Sequence, residues 1–255
     1  EVEKTIQRFC GYGFEEERVE IHNEYKTWHN KMAGVRLSYI DSITQLVNYL
    51  QDGIITDDVM VEMEGLFYLR DSEKELHADH RKELRTIYNK IYTWLRNMRI
   101  YKERKFMHVS GTAGCGKSHL LYREALEISN RQRVYMLLGS EFSYLEDPEN
   151  TIARVMGWKS SNPLKELDDE LAHEEGKTAT IIIDALNEGA GTHFWMEQLP
   201  ILKNKISRYN HLKMIVSLRT LSEEDKLNDI LRDDWQPLRV DGFKNRKKAI
   251  GDYFE

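Results

Sequence analysis

The sequence predicts an α/β fold, in which a parallel sheet with flanking helices follows an α-helical region. Residues up to about 100 carry apolar side chains at helical spacing, and from Lys105 onward short apolar runs alternate with helical stretches. Unbroken apolar runs of about four to six residues suit strands that are buried on both faces, and helical connections between them imply a parallel sheet. The predicted strands are 106–109, 134–138, 180–183, 214–216 and 238–240.

The helical region, residues 1–100, contains predicted helices at 37–50, 55–67 and 84–98. In the last of these, apolar side chains recur every three or four residues along one face. The members of this stripe are Leu84, Ile87, Tyr88, Ile91, Tyr92, Leu95 and Met98. We interpret the stripe as packing surface and place a domain boundary near residue 100, before a core of residues 101–255.

The composition predicts a folded, cytoplasmic protein. The chain has 255 residues, of which 40% are hydrophobic and 31% are charged, and its net charge is −6 with interspersed signs. This charge pattern argues against a large nucleic-acid footprint. No run approaches the roughly 20 apolar residues of a membrane-spanning helix, and the N-terminus lacks the order of a signal peptide. Two cysteines, Cys10 and Cys115, are too few for a disulfide framework, so we expect no disulfide.

The ends of the sequence suggest an excised piece of a longer protein. It begins at Glu1 without a methionine, and it ends at Glu255 within a predicted helix, 245–254, that lacks a C-terminal capping signal.

A glycine-rich loop follows the first predicted strand and precedes a predicted helix. Its pattern of Gly, four residues, Gly, Lys and Ser is that of a P-loop, whose backbone N–H groups cradle phosphates at a helix N-terminus. Lys117 should reach the β and γ phosphates of a nucleoside triphosphate, and the Ser118 hydroxyl should ligate Mg²⁺. The alternative is a glycine-rich turn with an exposed lysine. The candidate nucleotide-binding residues are Gly111, Thr112, Ala113, Gly114, Cys115, Gly116, Lys117, Ser118 and His119.

An acidic motif ends the third predicted strand. Asp184 follows the apolar run 180–183, and a carboxylate at the end of a parallel strand can hold Mg²⁺ directly or through water. Glu188 lies just beyond, where it could deprotonate the water that attacks a γ-phosphate, and Asn187 could position that water. The alternative for Asp184 is a helix N-cap or a turn aspartate.

The fourth predicted strand ends near Arg219, whose planar guanidinium suits contact with a γ-phosphate. A surface arginine in an ion pair is the alternative. We interpret His108 as a core or edge histidine, and Trp195 and Trp235 as packing residues.

Together these motifs resemble the NTPase core of the STAND class. The resemblance rests on the runs GTAGCGKS, IIIDALNEG and KMIVSLRT, on the small residue Ala185 after the first acid, and on the second acid at Glu188, as in the NACHT-like branch. Tyr135 to Ser140, Asp184 to Gly191 with Trp195 soon after, Val216 to Thr220 and Val240 to Phe243 resemble bacterial antiviral STAND (Avs) proteins. The likeness covers about residues 100 to 255.

This resemblance implies an ATP-driven switch that is closed with ADP and that assembles into a homo-oligomer with ATP. The trigger would be a phage protein sensed by a C-terminal region that this sequence does not include. It also implies that the core is truncated before its winged-helix lid and that residues 1–100 are either a linker or a region next to an effector. Arg219 would be the sensor arginine.

Three hypotheses follow. The leading one is a regulatory ATPase, with ATP or ADP and Mg²⁺ as its ligands. The second is a nucleotide-binding interaction module without turnover. The third is another P-loop ATPase, a phosphotransferase or a DNA-directed motor, since fold alone does not fix function. A GTPase is disfavoured because no Asn-Lys-x-Asp run occurs.

Overall fold

A computed structural model of the protein describes residues 1–31, 78–174, 177–220, 227, 230–231 and 234–242. The helices predicted at 37–50, 55–67 and 245–254 lie outside these residues. The chain divides into two compact units: unit 1 consists of Glu1–Cys10 and Lys102–Glu255, and unit 2 of Gly11–Tyr101. No helix in the described part of the chain combines the length and hydrophobicity that a membrane crossing needs.

Unit 1 contains a five-stranded parallel sheet, as predicted. The strands are β1 (Phe106–Gly111), β2 (Arg133–Leu138), β3 (Ala179–Asp184), β4 (Leu212–Arg219) and β5 (Gln236–Arg239). Their order in the sheet is β2-β3-β4-β1-β5, and every pair is parallel. Every residue of β3 is buried, which explains its unbroken apolar run. Strand β4 therefore lies between β1 and β3.

Among the described residues, three helices precede β1, and four others lie in the connections from β1 to β2, β2 to β3 and β3 to β4. In chain order they are α1 (Val2–Phe9), α2 (Glu15–Lys31), α3 (Ala78–Glu103), α4 (Lys117–Ser129), α5 (Pro148–Met156), α6 (Pro163–Ala172) and α7 (Gly191–Ser207). A 3₁₀ turn, Gly139–Glu141, follows β2. Helix α5 shows how local sequence sets its ends: Asp147 caps its first turn by accepting the N–H of Glu149, Pro148 is its first residue, and Gly157 ends it in the left-handed region.

Aromatic side chains fill the core beside the sheet. The ring of Trp195 lies 4.8 Å from that of Phe142, and the ring of Trp235 lies 5.2 Å from that of Phe106. Both tryptophans are buried, which confirms their interpretation as packing residues. His108 is half-buried in β1, and burial lowers the pKa of its imidazole.

Helix α1 belongs to the sheet-containing unit although the sequence groups it with the helical region. Ile6 and Phe9 are fully buried, and the helix contacts α4 and β5. Its C-terminal carbonyl at Phe9 accepts a hydrogen bond from Lys213 of β4. The first ten residues are thus bound to unit 1 by long-range contacts that helical periodicity does not encode.

Unit 2 contains α2 and most of α3, which includes the predicted helix 84–98. Leu84, Ile87, Ile91 and Leu95 are buried, but Tyr92 is 49% exposed and Trp94 is buried. The predicted stripe was wrong at Tyr92 because the buried face follows the row 84, 87, 91, 94 and 95, and residue 92 lies on its flank.

Candidate functional site

The loop between β1 and α4 has the backbone that a phosphate loop requires. Gly114 and Gly116 have positive φ angles of 71° and 91°, which L side chains rarely adopt. A Cβ at Gly111 would lie 2.4 Å from the carbonyl oxygen of Val240 and 2.8 Å from Cys115 Sγ. Helix α4 begins at Lys117, so the loop runs directly into a helix N-terminus.

Lys117 packs against this loop. Its Nζ donates to the carbonyl oxygens of Gly111 and Thr112, each at 2.9 Å, and lies 3.6 Å from Cys115 Sγ. The ammonium is thereby held at the mouth of the loop. The Thr220 N–H also donates to Gly111, which ties the loop to the end of β4.

A cavity of about 380 Å³ opens beside the loop and brings most predicted site residues together. It is lined by Ala113, Gly114, Gly116, Lys117, Ser118, His119, Asp184, Ala185, Asn187, Glu188, Ser217 and Arg219. Three predicted nucleotide-binding residues, Gly111, Thr112 and Cys115, do not line it. Cys115 is buried, so its thiol lies under the loop rather than in the cavity.

The strand order explains this convergence. Strands β3, β4 and β1 are adjacent and parallel, so their carboxyl ends lie next to one another at the same edge of the sheet. The phosphate loop leaves β1, Asp184 ends β3, and Arg219 ends β4. Residues more than 100 positions apart in the sequence therefore share one cavity.

Asp184 is 2% exposed, and its carboxylate accepts a hydrogen bond from the hydroxyl of Ser217 on β4. The same hydroxyl oxygen accepts the N–H of Ala185 at 2.9 Å. Asp184 is the last residue of its strand, and the next helix, α7, begins only at Gly191. It is therefore not a helix N-cap.

The turn after β3 carries Asn187 and Glu188 into the cavity. Ala185 has a φ of 59°, and the Glu188 N–H donates to its carbonyl oxygen at 2.9 Å. Asn187 Oδ1 accepts the backbone N–H of Arg219 at 3.2 Å. The Asn187 amide oxygen is thus engaged with β4.

Arg219 forms the ion pair that sequence reasoning held as its alternative. Its guanidinium lies 3.8 Å from Glu188 Oε1, and the two side chains are 57% and 52% exposed. An exposed ion pair at this distance contributes little stability. Since both side chains line the cavity, the ion pair and a ligand contact are compatible.

Sequence reasoning missed two residues of the site. Ser217 holds Asp184, and the signal for it was a polar residue in the apolar stretch 214–218 of β4. Gly139 lies so close to the turn after β3 that a Cβ would stand 2.2 Å from the Ala185 carbonyl oxygen. A glycine directly after an apolar strand marks such an approach only once its neighbour is known.

A parallel five-stranded sheet with flanking helices and a phosphate loop after its first strand defines this architecture. The fold is that of a P-loop NTPase core.

No family model matches the chain, and no curated protein matches it. Solved structures resemble the P-loop NTPase core distantly. A chain from a structure of Drosophila ORC bound to GC-rich DNA and Cdc6 is 16% identical, with a TM-score of 0.39, over 69% of this chain and 64% of its own length. A chain from a structure of Drosophila ORC bound to DNA is 19% identical, with a TM-score of 0.38, over 60% of this chain and 91% of its own length. C. elegans PCH-2 is 18% identical, with a TM-score of 0.34, over 66% of this chain and 46% of its own length.

The protein spans 64% of the length of the first of these chains. Likenesses at these identities and TM-scores carry no argument about activity, because one fold hosts many functions.

Proposed function

We propose that the chain is the ATP-binding and ATP-hydrolysing regulatory module of a STAND-type protein, in which nucleotide state controls assembly. One observation carries the proposal: a single cavity gathers Lys117, Ser118, Asp184, Glu188 and Arg219 from the ends of three strands. These are a cation, a hydroxyl, a buried acid, an exposed acid and an arginine, which are the groups that phosphoryl transfer needs.

The donor set fits a nucleotide with Mg²⁺. Ser118 and Asp184 offer oxygen ligands, whereas the described residues contain no group of three or more His, Cys, Asp or Glu that could hold a metal ion. Mg²⁺ commonly takes one or two protein oxygens and completes its shell with phosphates and water. The bound cation would neutralise phosphate charge, and Ser118 and Asp184 would hold it.

The other residues have distinct roles in hydrolysis. Glu188 accepts the proton of a water molecule whose oxygen attacks the γ-phosphorus, while the bond to the β,γ-bridging oxygen breaks. Lys117 and Arg219 stabilise the charge that develops on the phosphate oxygens. Asn187, held on β4 by its amide oxygen, positions the turn that carries Glu188.

The wider role follows from the sequence resemblance. ATP would favour a homo-oligomer, and a phage protein bound by a sensor region of the longer protein would trigger assembly in antiphage defence. The chain would carry no direct contact with membranes or nucleic acid.

A second candidate is a nucleotide-binding module without turnover. The observation that favours it is the ion pair of Arg219, whose guanidinium lies 3.8 Å from Glu188 and so engages the carboxylate that hydrolysis would need as its base. In this case the same residues hold ATP or ADP as a structural ligand.

Two substitutions test the proposal and separate the candidates. Lys117→Ala should lose nucleotide that co-purifies with the wild type, as measured by heat release and chromatography. Glu188→Gln should retain ATP but hydrolyse it roughly 10²- to 10⁴-fold more slowly, which is the usual contribution of a general base. Lys159→Ala, which removes an exposed lysine outside the cavity, serves as the control.

Tight ATP retention by Lys117→Ala would refute the assignment of the phosphate loop. A wild type that binds ATP without hydrolysing it would establish the second candidate instead.

A further inference from the structure

Ser217 is a fully buried polar residue in an otherwise apolar stretch of β4, two positions before Arg219. Its neighbours in the strand, Val216 and Leu218, are buried in the core. A hydroxyl in such a place requires hydrogen-bond partners, because an unsatisfied buried polar group is costly.

The direction of the Ser217 hydrogen bonds is fixed by its partners. The Ala185 N–H can only donate, so the hydroxyl oxygen accepts from it at 2.9 Å. The hydroxyl proton is then directed at Asp184 Oδ1. In addition, the Ser217 carbonyl oxygen accepts the Leu186 N–H at 2.8 Å. One residue of β4 therefore holds three successive residues at the end of β3.

These bonds stabilise a strained turn. Ala185 has a φ of 59°, which a residue with a side chain adopts only where its surroundings enforce it. The turn carries Asn187 and Glu188, and Asn187 is bonded in turn to the Arg219 N–H. The ends of β3 and β4 are thus joined by hydrogen bonds at two places.

We infer that Ser217 is a positioning residue, which orients the Asp184 carboxylate for Mg²⁺ and fixes the turn that presents Glu188. This inference rests on the proposed function. Its distinguishing consequence concerns the metal: loss of the hydroxyl should weaken the response to Mg²⁺ and slow hydrolysis while ATP binding without Mg²⁺ is preserved.

The test uses a matched pair in the full chain. Ser217→Thr and Ser217→Val add the same volume to β4, and only the threonine retains a hydroxyl. ATP hydrolysis is measured against Mg²⁺ concentration at saturating ATP, and ATP binding is measured in EDTA. A control, Thr180→Val, removes a fully buried hydroxyl from β3 outside the cavity.

We expect Ser217→Val to need about 10- to 100-fold more Mg²⁺ for half-maximal hydrolysis than Ser217→Thr. This fold-change corresponds to the usual contribution of one hydrogen bond to a charged group. In an Asp184→Ala background, which lacks the carboxylate, the strengthening of ATP binding by Mg²⁺ should be the same for Ser217→Thr and Ser217→Val. Binding in EDTA should be the same for the wild type, the pair and the control.

The inference would be overturned if Ser217→Thr and Ser217→Val needed the same Mg²⁺ concentration for half-maximal hydrolysis and both hydrolysed ATP about as fast as Thr180→Val. That result would leave the proposed function intact. A difference that persists without Asp184 would also overturn it, because Ser217 would then act elsewhere. A wild type that does not hydrolyse ATP would refute the proposed ATPase and, with it, this role of Ser217.

Discussion

Two glycines allow the loops beside the cavity to pack backbone against backbone. A Cβ at Gly139 would lie 2.2 Å from the carbonyl oxygen of Ala185, and one at Gly189 would lie 2.6 Å from the carbonyl oxygen of Gly139. Real Cβ atoms do not approach so closely, so any larger residue must displace main chain rather than a flexible side chain. The positions of Asp184 and Glu188 therefore depend on residues that carry no functional group.

Gly139→Ala should displace the turn after β3 and lower the rate of ATP hydrolysis at least tenfold. Overpacking at such a site costs about 1–3 kcal/mol of stability. The control is Gly157→Ala, where a Cβ meets nothing within 4 Å but the φ of 70° is unfavourable for alanine. ATP hydrolysis and urea unfolding are measured for both variants.

Both glycine variants should be destabilised, but only Gly139→Ala should lose activity. If the two hydrolyse ATP equally well, close packing at Gly139 does not position the catalytic turn.

At the scale of elements, helix α1 is attached to β4 through a buried lysine. Lys213 is 6% exposed, its Nζ donates to the Phe9 carbonyl oxygen at the end of α1, and it lies 5.0 Å from the centroid of the Phe9 ring. Burial lowers the Lys213 pKa to about 8, and the nearby Cys10 acts in the opposite direction. Burial also raises the Cys10 pKa to about 11.

These shifts predict that stability rises with pH between about 8 and 9. The ordinary lysine pKa is 10.5, so the unfolded chain keeps the Lys213 proton in this range while the folded chain releases it. Release of the Lys213 proton should therefore by itself increase the free energy of unfolding by about 1 kcal/mol over this unit of pH. The Cys10 thiol offsets part of this increase within the same range, because its ordinary pKa is 9.0 and the unfolded thiol begins to ionise while the folded thiol stays protonated.

Urea unfolding at pH 8 and pH 9 measures this effect. Lys213→Met should abolish the increase, and Lys159→Met, which removes an exposed lysine, should retain it. If wild type and Lys213→Met respond equally to pH, the lysine is not desolvated beneath α1.

At the scale of the whole molecule, every residue that lines the cavity belongs to unit 1. A ligand that binds only the folded state stabilises it by mass action. Nucleotide binding should therefore protect the sheet, whose strands supply the cavity, and this protection can be followed strand by strand.

Mg²⁺ and ATP at about 100 times the dissociation constant should stabilise the fold of unit 1 by about 2.7 kcal/mol. Some amides of β3 exchange with solvent only when unit 1 unfolds, and their exchange should slow about 100-fold. The amides of α2 in unit 2 serve as an internal reference. Lys117→Ala should show no slowing. Unchanged β3 exchange in the nucleotide-bound wild type would contradict the assignment of the site to unit 1.

Much of the P-loop NTPase fold was predictable because it depends on the local spacing of apolar residues and glycines in the sequence. Apolar runs located all five strands to within three residues at each end. The reason is clearest for β3, in which every residue is buried, because a strand that is buried on both faces tolerates no polar alternation. The glycines of the phosphate loop also predicted its conformation, because positive φ angles favour glycine. Polar residues at or shortly after the predicted strand ends identified Asp184, Glu188 and Arg219 as cavity residues.

The sequence by itself therefore determined the strands, the glycine-rich loop and most of the chemical groups that line the cavity. Tertiary structure alone decided that β4 separates β1 from β3, that Ser217 meets Asp184, and that Gly139 meets Ala185. It also decided that α1 joins the sheet through Lys213. Backbone conformation follows from neighbouring residues, whereas strand order and close approach depend on which buried surfaces pack together across long stretches of chain.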